Sequence, residues 1–321
     1  MSQKPTLWIS RKLSDNTMLR ANRDYEVIFD AADEPASAAK IIEMSAQCDA
    51  VLPCHSEVFS SDVVDQLNPR LKIIANHSVG VDHCDLEALK QKNIVVTNTP
   101  DVLSDATAEI AMLLLLGAAR HAAEGDALVR NQQWDSWSPS FMVGTQVTGK
   151  RIGIVGMGKV GKVMARRAAG FDMDVHYHNR QQLPEDEEGG ATFHKDLESL
   201  LAVSDFLSLH CPSTPDTQKL LNAKTLSYLP DGAVVINSAR GALIDESALL
   251  NAIESKKLAA VGLDCFQTEP GGNPAFSQYK NIFMLPHIGS ATSETRDAMG
   301  YRALDNLDAF YAGKPPKDRV A

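Results

Sequence analysis

The chain has 321 residues, of which 44% are hydrophobic and 22% are charged, and its formal net charge is −10. This composition is typical of a folded globular protein and excludes a disordered or collagen-like chain, while the acidic balance disfavours a nucleic-acid-binding surface. The length predicts two domains, since one domain commonly has about 100–200 residues.

The cysteines and the N-terminal segment indicate where the protein is found. The five cysteines, an odd number without a C-x-x-C pair, are Cys48, Cys54, Cys84, Cys211 and Cys265. They predict reduced, buried thiols in the cytoplasm rather than a disulfide framework. Lys4 and Arg11 have no apolar stretch between or after them, so no signal peptide is expected. The longest uncharged apolar run, residues 110–119, is shorter than the about 20 residues of a membrane span and predicts a buried helix.

The first hundred residues predict a small α/β unit. Short apolar runs alternate with polar helical segments, and the strand-like runs are residues 6–10, 26–29, 50–53, 72–76 and 94–98. Nearly continuous apolar strands are typical of a parallel sheet that is covered on both faces.

A long helix is predicted from Ser104, which we place as its N-cap. Good helix formers continue for about 28 residues, and the first half is apolar. Such a helix packs against a large surface, so we expect it to contribute to a dimer interface. The loop that follows contains Trp134 and Trp137.

A second alternation of strands and helices begins at Arg151 and predicts a doubly wound sheet. Its six strand-like runs are residues 151–156, 174–179, 206–210, 233–239, 259–264 and 281–287. The acidic run at 185–188 is expected to be a solvated loop. A last helix is predicted over 293–310, because Gly313 and two prolines follow it.

A G-x-G-x-x-G motif joins a predicted strand to a predicted helix, and it comprises Gly156, Met157, Gly158, Lys159, Val160 and Gly161. In this context the motif predicts a dinucleotide site. Gly156 permits the tight turn, Gly158 lets the backbone approach the pyrophosphate, and Gly161 lets helix and strand pack closely. The N-terminus of the helix then presents N–H groups to the phosphates.

The end of the next strand bears on the choice of cofactor. It carries no carboxylate for the ribose 2′-hydroxyl, and Asp174 lies too early in the strand. We expect Arg180, with Asn179 and His178, to bind a 2′-phosphate, which favours NADP(H) while NAD(H) stays open. His176 shares a strand face with His178, but no third ligand is near, so we expect no metal site.

Three charged residues follow predicted strands of the second domain: Arg240, Glu269 and His287. Ligands bind at the carboxyl ends of strands in such sheets, so we expect the three side chains to converge. Reduction of a 2-keto acid needs a cation for the carboxylate and a general acid that titrates near neutrality. Arg240 is therefore predicted to anchor the substrate, His287 to donate the proton, and Glu269 to support the imidazole.

These motifs resemble those of the D-isomer-specific 2-hydroxyacid dehydrogenase family over nearly the whole chain. The matching stretches are residues 78–86, 156–162, 210–217, 237–249, 262–270 and 286–292. The family's catalytic Arg, Glu and His fall on Arg240, Glu269 and His287. The resemblance is strongest to the NADP-preferring glyoxylate/hydroxypyruvate reductases and implies reduction of a small 2-keto acid to the D-2-hydroxy acid.

The resemblance also implies which residues line the site. It places a backbone cradle for the substrate carboxylate at Val79 and Gly80 and a contact to the nicotinamide amide at Asp264. The other residues that it places at the cofactor are Thr107, Cys211, Pro212, Thr217, Ser238, Ala239, Arg240, His287 and Gly289. His55 stands where relatives often have an apolar residue, so it is a candidate contact to substrate and favours the alternative of a larger keto acid such as 2-ketogluconate.

The fold implied by the resemblance is discontinuous. Residues 1–100 and 292–321 would form a flavodoxin-like substrate domain, residues 101–291 a Rossmann cofactor domain, and the active site would lie in the cleft between them. A homodimer is implied, in which Trp137 either reaches the partner's cleft or fills the interface.

Two other functions remain open. One is a nucleotide-sensing, corepressor-like binding module, and the other is an enzyme of the same fold that acts on formate or phosphite. The absence of tails beyond the two predicted domains favours the reductase over the binding module, and the match to the formate and phosphite enzymes is poorer.

Overall fold

The computed structural model describes residues 4–321 and divides the chain into two compact units. The first unit combines the chain up to Leu103 with Ala291–Ala321, and the second is Ser104–Ser290. Each unit is a parallel sheet flanked by helices, which confirms the predicted α/β fold class.

The first unit begins with five strands, and each coincides with a predicted one to within two residues. The strands are β1 (Thr6–Ile9), β2 (Glu26–Phe29), β3 (Ala50–Leu52), β4 (Ile73–Ala75) and β5 (Val95–Thr97). The helices among them are α1 (Asp15–Asp24), α2 (Ala38–Ser45), α3 (Ser61–Asp65) and α4 (Leu86–Gln91). The strand order is β2-β1-β3-β4-β5, which is the order of flavodoxin-like sheets.

The second unit contains seven parallel strands. They are β6 (Arg151–Val155), β7 (Asp174–His178), β8 (Thr192–His194), β9 (Phe206–Leu209), β10 (Ala233–Asn237), β11 (Leu258–Leu263) and β12 (Ile282–Met284). The helices are α5 (Ser104–Ala119), α6 (Ala122–Arg130), α7 (Lys159–Ala169), α8 (Glu185–Glu188), α9 (Leu197–Val203), α10 (Ala223–Ser227) and α11 (Glu246–Glu254), with 3-10 turns at Gly241–Leu243 and Pro274–Gln278. The order β12-β11-β10-β9-β6-β7-β8 reverses direction at β6, and the glycine motif follows that strand. Such a switch point is where ligands bind in doubly wound sheets.

The chain returns to the first unit as α12 (Ser293–Tyr311), which packs on one face of its sheet. Leu7 and Ile9 of β1 face Leu304 and Leu307 of this helix, while Trp8 points to the opposite face. Alternate residues of one strand thus serve two hydrophobic cores, which explains why the strands are apolar throughout.

The region around the acidic run departs from prediction. The expected loop at 185–188 is one exposed helical turn, α8, and the edge strand β8 was not predicted. β8 has only three residues, and its pairing of Phe193 with Tyr177 in β7 is a tertiary contact. The pattern of so short a segment does not distinguish a strand from a loop.

The single long helix predicted from Ser104 is wrong. The chain forms α5 and α6, bent by 70°. His121, between them, has a left-handed φ of 54°, and the carbonyl of Ala119 accepts the N–H of Thr145. That carbonyl is bound by a distant loop, so the break depends on tertiary structure. Ser104 is the first residue of α5 rather than its N-cap. No single helix in residues 4–321 has the length and apolar composition to cross a membrane.

None of the five cysteines forms a disulfide within residues 4–321, as predicted. Four are buried and Cys54 is partly buried. Burial raises the pKa of Cys48, Cys54 and Cys84 to about 12, so these thiols are protonated and unreactive at neutral pH.

Candidate active site

His287 and Glu269 form a hydrogen-bonded pair at the carboxyl end of the second sheet. Glu269 follows β11, and His287 follows the neighbouring strand β12. The Nδ1 atom of His287 lies 2.5 Å from Oε2 of Glu269, and Oε1 accepts the N–H of Phe266 at 2.8 Å. Because Nδ1 is bound to the carboxylate, Nε2 is the ring nitrogen that would exchange a proton with a substrate.

The backbone at His287 is strained and is fixed by Asp264. His287 has a φ of 53°, which is uncommon for a residue other than glycine. Asp264 is fully buried, and its two oxygens accept the N–H groups of Ile288 and Gly289, each at 2.8 Å. Burial raises the pKa of Asp264, although the two N–H groups oppose that rise. The carboxyl group therefore orients the segment that carries His287.

Arg240 lies on a turn that follows β10, the next strand of the sheet. Buried Asn237 fixes this turn, since its Nδ2 donates to the carbonyl of Arg240 at 2.7 Å and its Oδ1 accepts the N–H of Ala239 at 3.0 Å. A Cβ placed on Gly241 would lie only 1.9 Å from the carbonyl carbon of Phe266. Glycine thus lets the turn of Arg240 contact the backbone that precedes Glu269.

The glycine motif leaves room and hydrogen-bond donors for a diphosphate. Gly156 has a φ of 94°, and a Cβ there would lie 2.5 Å from the amide nitrogen of Cys211. A Cβ on Gly158 would meet nothing within 4 Å, so the backbone is open at that point. No protein acceptor within residues 4–321 takes the N–H of Val160 or Gly161 in the first turn of α7. These features fit the pyrophosphate of a dinucleotide.

Other residues predicted to line the cofactor lie on the same unit. The hydroxyl of Ser238 is buried and has no partner in the part of the chain that the structure describes, so it is available to a ligand. Thr107 adjoins Gly289, where an added Cβ would lie 3.5 Å from its side chain. The hydroxyl of Thr217 instead donates to the carbonyl of Pro212 at 2.8 Å and stabilises its own loop.

The predicted 2′-phosphate residues follow β7. Asn179 accepts the N–H of Met157 at 2.7 Å, so it positions the glycine motif, and Nδ1 of His178 lies 2.8 Å from the carbonyl of His194 in β8. Arg180 is exposed, and no carboxylate of residues 4–321 forms an ion pair with it. Its guanidinium is therefore available to an anion.

His176 was considered as a metal ligand because of its position in the strand. In the structure it contacts His194 and Asp174. Its Nδ1 lies 3.0 Å from Nε2 of His194, and its Nε2 lies 3.2 Å from Oδ2 of Asp174. Both ring nitrogens of His176 are thus within hydrogen-bond distance of protein atoms.

In the first unit, the loop after β4 presents two backbone N–H groups. The carbonyls of Ser78 and Val79 accept hydrogen bonds from the Thr99 N–H at 3.0 Å and from Asn98 Nδ2 at 2.9 Å, and the carbonyl of Gly80 accepts the hydroxyl of Ser78 at 2.7 Å. No protein acceptor in residues 4–321 takes the N–H of Val79 or Gly80. A fixed loop with two donors suits a carboxylate.

His55 lies on an exposed turn after β3, and no motif in the sequence predicts which residue orders this turn. Glu57 is fully buried, and its carboxylate accepts the Cys54 N–H at 2.9 Å and the hydroxyls of Ser10 and Ser56 at 2.5 and 2.8 Å. Glu57 is thus a positioning residue for the turn that presents His55.

Comparison with known proteins decides the family. The family model for the NAD-binding domain of D-isomer specific 2-hydroxyacid dehydrogenases matches residues 112–289, which is more than half of the chain. The chain belongs to this dehydrogenase family. The family predicted from the motifs is therefore confirmed.

Relatives of this dehydrogenase match it over nearly their whole length. It is 41% identical over 315 residues to glycerate dehydrogenase of Hyphomicrobium methylovorum, with 98% of each chain covered. It is 37% identical over 321 residues to glyoxylate reductase of Thermococcus litoralis, with 99% of this chain and 97% of the relative covered. The crystal structure of NADPH-dependent glyoxylate/hydroxypyruvate reductase from Sinorhizobium meliloti, in complex with NADP and malonate, matches with a TM-score of 0.87 at 30% identity, covering 99% of this chain and 97% of that one.

The dehydrogenase also contains a positioning residue that sequence reasoning missed. Glu246, in the first turn of α11, accepts the N–H of Gln267 at 3.0 Å and the amide of Asn273 at 2.9 Å. These bonds fix the loop that carries Glu269. An acidic residue in a first helical turn is common, so the sequence alone gives no sign of this contact.

Proposed function

We propose that this dehydrogenase reduces glyoxylate or hydroxypyruvate with NADPH to the corresponding 2-hydroxy acid, of D configuration where C2 is chiral. The observation that carries the proposal is the 2.5 Å contact between His287 and Glu269 at the carboxyl end of the sheet that bears the glycine motif. The similarity to a glycerate dehydrogenase and to glyoxylate reductases supports this class of substrate.

Each residue of the candidate active site has a distinct role in the proposed reaction. The glycine motif and Arg180 would hold NADPH, which would supply a hydride to C2 of the keto acid. His287 donates a proton from Nε2 to the carbonyl oxygen, and Glu269 stabilises the protonated ring through Nδ1. Arg240 binds the carboxylate of the substrate and polarises its carbonyl.

NADPH is proposed over NADH because of Arg180. The strand end offers an exposed, unpaired guanidinium and no carboxylate, so a 2′-phosphate gains a partner and a bare ribose does not. The complex of the Sinorhizobium relative with NADP supports this preference.

Replacing Arg180 with alanine tests this preference. We expect NADPH affinity to fall by about 10–100-fold, the usual effect of losing a hydrogen bond to a charged group, and NADH affinity to change little. Dissociation constants of both cofactors, measured by fluorescence titration, check this result. The control is Arg166→Ala, since Arg166 lies at the end of α7 with its side chain 73% exposed. Equal weakening of both cofactors would show that Arg180 does not read the phosphate.

We also propose that the protein is a homodimer that associates through the second unit. Residues of α6 and the following loop expose large apolar side chains: Val129 is 60% exposed, Trp137 is 73% exposed and Val143 is 68% exposed. Exposed apolar surface of this kind is typical of an interface. We expect a dimeric mass by sedimentation and a shift toward monomer in Trp137→Ser, whereas a monomeric wild-type protein would contradict the proposal.

A keto-acid panel tests the proposed reaction. Glyoxylate, hydroxypyruvate, pyruvate and 2-ketogluconate are each mixed with NADPH or NADH, and specificity constants are taken from the loss of reduced-cofactor absorbance. We expect the two small substrates with NADPH to give the highest values. A preference for 2-ketogluconate would overturn the small-substrate proposal and support a role for His55. If the protein reduces no keto acid, the proposed reductase function is wrong and a nucleotide-sensing binding module is favoured.

A further inference from the structure

Four residues form a row along the carboxyl edge of the second sheet. Gly156, His210, Ser238 and Asp264 directly follow the neighbouring strands β6, β9, β10 and β11. The last residues of these four strands are paired with one another across the sheet, so the residues that follow them stand at the same level. Because neighbouring strands lie about 4.8 Å apart, adjacent members of this row are close in space.

The side chains of the row leave the sheet on the side that α5 and α7 cover. Phe206, Ile236 and Ala260 lie an even number of residues before the three polar members of the row, and they pack in the hydrophobic core that contains residues of α5 and α7. Side chains on a strand alternate between its faces, so the polar members point to this same side. The helix α7 begins at this edge with the glycine motif.

His210 offers a ring N–H to a ligand. Burial lowers the pKa of His210 to about 4, so its ring is neutral at neutral pH. Its Nε2 lies 2.8 Å from the hydroxyl oxygen of Ser208, which is fully buried. No other group in residues 4–321 accepts the Ser208 proton, so the hydroxyl donates to Nε2 and the ring proton is on Nδ1. Within that same range Nδ1 has no protein partner.

Ser238 offers a second polar group beside His210. Its hydroxyl is buried and unpartnered in the part of the chain that the structure describes, and a native protein rarely leaves such a group unsatisfied. Asp264, the next member of the row, already accepts the N–H groups of Ile288 and Gly289. One N–H donor and one hydroxyl thus stand between the glycine motif and the aspartate that orients the segment of His287.

We propose that His210 and Ser238 bind the hydroxyl groups of the nicotinamide ribose and so position the nicotinamide. This inference rests on the proposed function. A dinucleotide with its diphosphate at Gly156 and its nicotinamide near the segment of His287 passes along the row, and its second ribose then lies between these points. A ribose hydroxyl can accept from Nδ1–H of His210, and another can exchange a hydrogen bond with Ser238. The family resemblance does not place His210 at the cofactor.

Ser238→Ala tests the proposal with two ligands. NADPH carries the nicotinamide ribose, whereas adenosine 2′,5′-bisphosphate carries only the adenosine half with its 2′-phosphate. We expect the dissociation constant of NADPH to rise by about 2–10-fold, as for a lost neutral hydrogen bond, and that of the bisphosphate to stay unchanged. Fluorescence titration and displacement measure the two values. Ser227→Ala is the matched control, since the Ser227 hydroxyl is exposed and binds the carbonyl of Lys224, and it should change neither value.

Two variants of His210 separate its two ring nitrogens. The amide of His210→Gln can still accept the Ser208 hydroxyl near the position of Nε2, but it has no donor at the position of Nδ1. We expect it to weaken NADPH binding by about 2–10-fold without changing bisphosphate binding. The shorter amide of His210→Asn reaches the position of Nδ1, so it should recover part of the NADPH affinity.

The outcomes distinguish this inference from the proposed function. The melting temperature of each variant reports whether it is folded. If the folded variants weaken NADPH and the bisphosphate equally, or weaken neither, the inference is wrong while the proposed reductase stands. If the wild-type protein binds NADH but not NADPH, the proposed cofactor preference fails, and the same comparison with NADH and adenosine 5′-diphosphate decides the inference. If it binds neither nicotinamide cofactor, both fail.

Discussion

Replacing His287 with alanine is expected to lower kcat for glyoxylate by about 10²–10⁴-fold, the usual contribution of a general acid. The loss follows because, in the proposed reaction, Nε2 supplies the proton that the carbonyl oxygen needs when hydride arrives at C2. NADPH affinity should stay close to the wild-type value, since the glycine motif that is proposed to bind the diphosphate follows β6, which is not adjacent to β11 or β12. Steady-state turnover and a fluorescence titration with NADPH measure the two effects.

Glu269→Gln supplies the internal control for this prediction. The amide oxygen can still accept the N–H of Phe266, but the negative charge beside Nδ1 is removed. We expect a smaller loss than in His287→Ala. If Glu269 acts through His287, the double variant should be no slower than His287→Ala alone. Additive losses, or near-normal turnover of His287→Ala, would contradict the assigned roles.

The parts of the fold that follow from local pattern were predictable. The central strands β3, β4 and β10 are nearly continuous apolar runs, because both faces of each sheet are covered there and every residue is buried. The glycine motif was equally predictable, because the turn at Gly156 and the open backbone at Gly158 both require glycine. Arg240, Glu269 and His287 were found because each follows a predicted strand, and strand ends meet at one edge.

The features that were missed depend on contacts between distant segments. The edge strand β8 exists through its pairing with β7, and the bend at His121 accompanies a hydrogen bond from Thr145 to Ala119. The same reason applies to the positioning residues of the site. Asp264 and Glu246 act by accepting backbone N–H groups from segments more than 20 residues away, and no local pattern records such a partner.

In the candidate site, the side chains assigned to chemistry differ from the side chains that position them. The groups assigned to chemistry lie on loops, and the groups that fix those loops are buried polar side chains with several hydrogen bonds each. Glu57 orders the turn of His55, Asn237 orders the turn of Arg240, and Asp264 orders the segment of His287. A conservative substitution of a positioning residue should therefore displace the catalytic side chain and lower kcat, with a smaller effect on the affinity for ligands.

Asp264→Asn is expected to show this effect most strongly. One amide group cannot accept both N–H groups, so its Nδ2 would face the N–H of Ile288 or Gly289. A buried donor without an acceptor costs about 1–3 kcal/mol of unfolding free energy. Displacement of His287 by as little as ~1 Å would lower kcat by about 10²-fold. Thermal unfolding and turnover measure the two quantities, and Asp231→Asn, at an 89% exposed side chain of the same unit, should change neither.

The cofactor measurement decides between two roles for Asp264. The family resemblance assigns it a contact to the nicotinamide amide, whereas the structure shows both of its oxygens bound to backbone N–H groups. If its main role is to orient the segment of His287, kcat falls while the dissociation constant of NADPH changes little. If its main role is to bind the nicotinamide, NADPH affinity falls by a comparable factor and turnover at saturating NADPH recovers. The carboxylate oxygens each retain a second lone pair, so only this split between kcat and affinity separates the two roles.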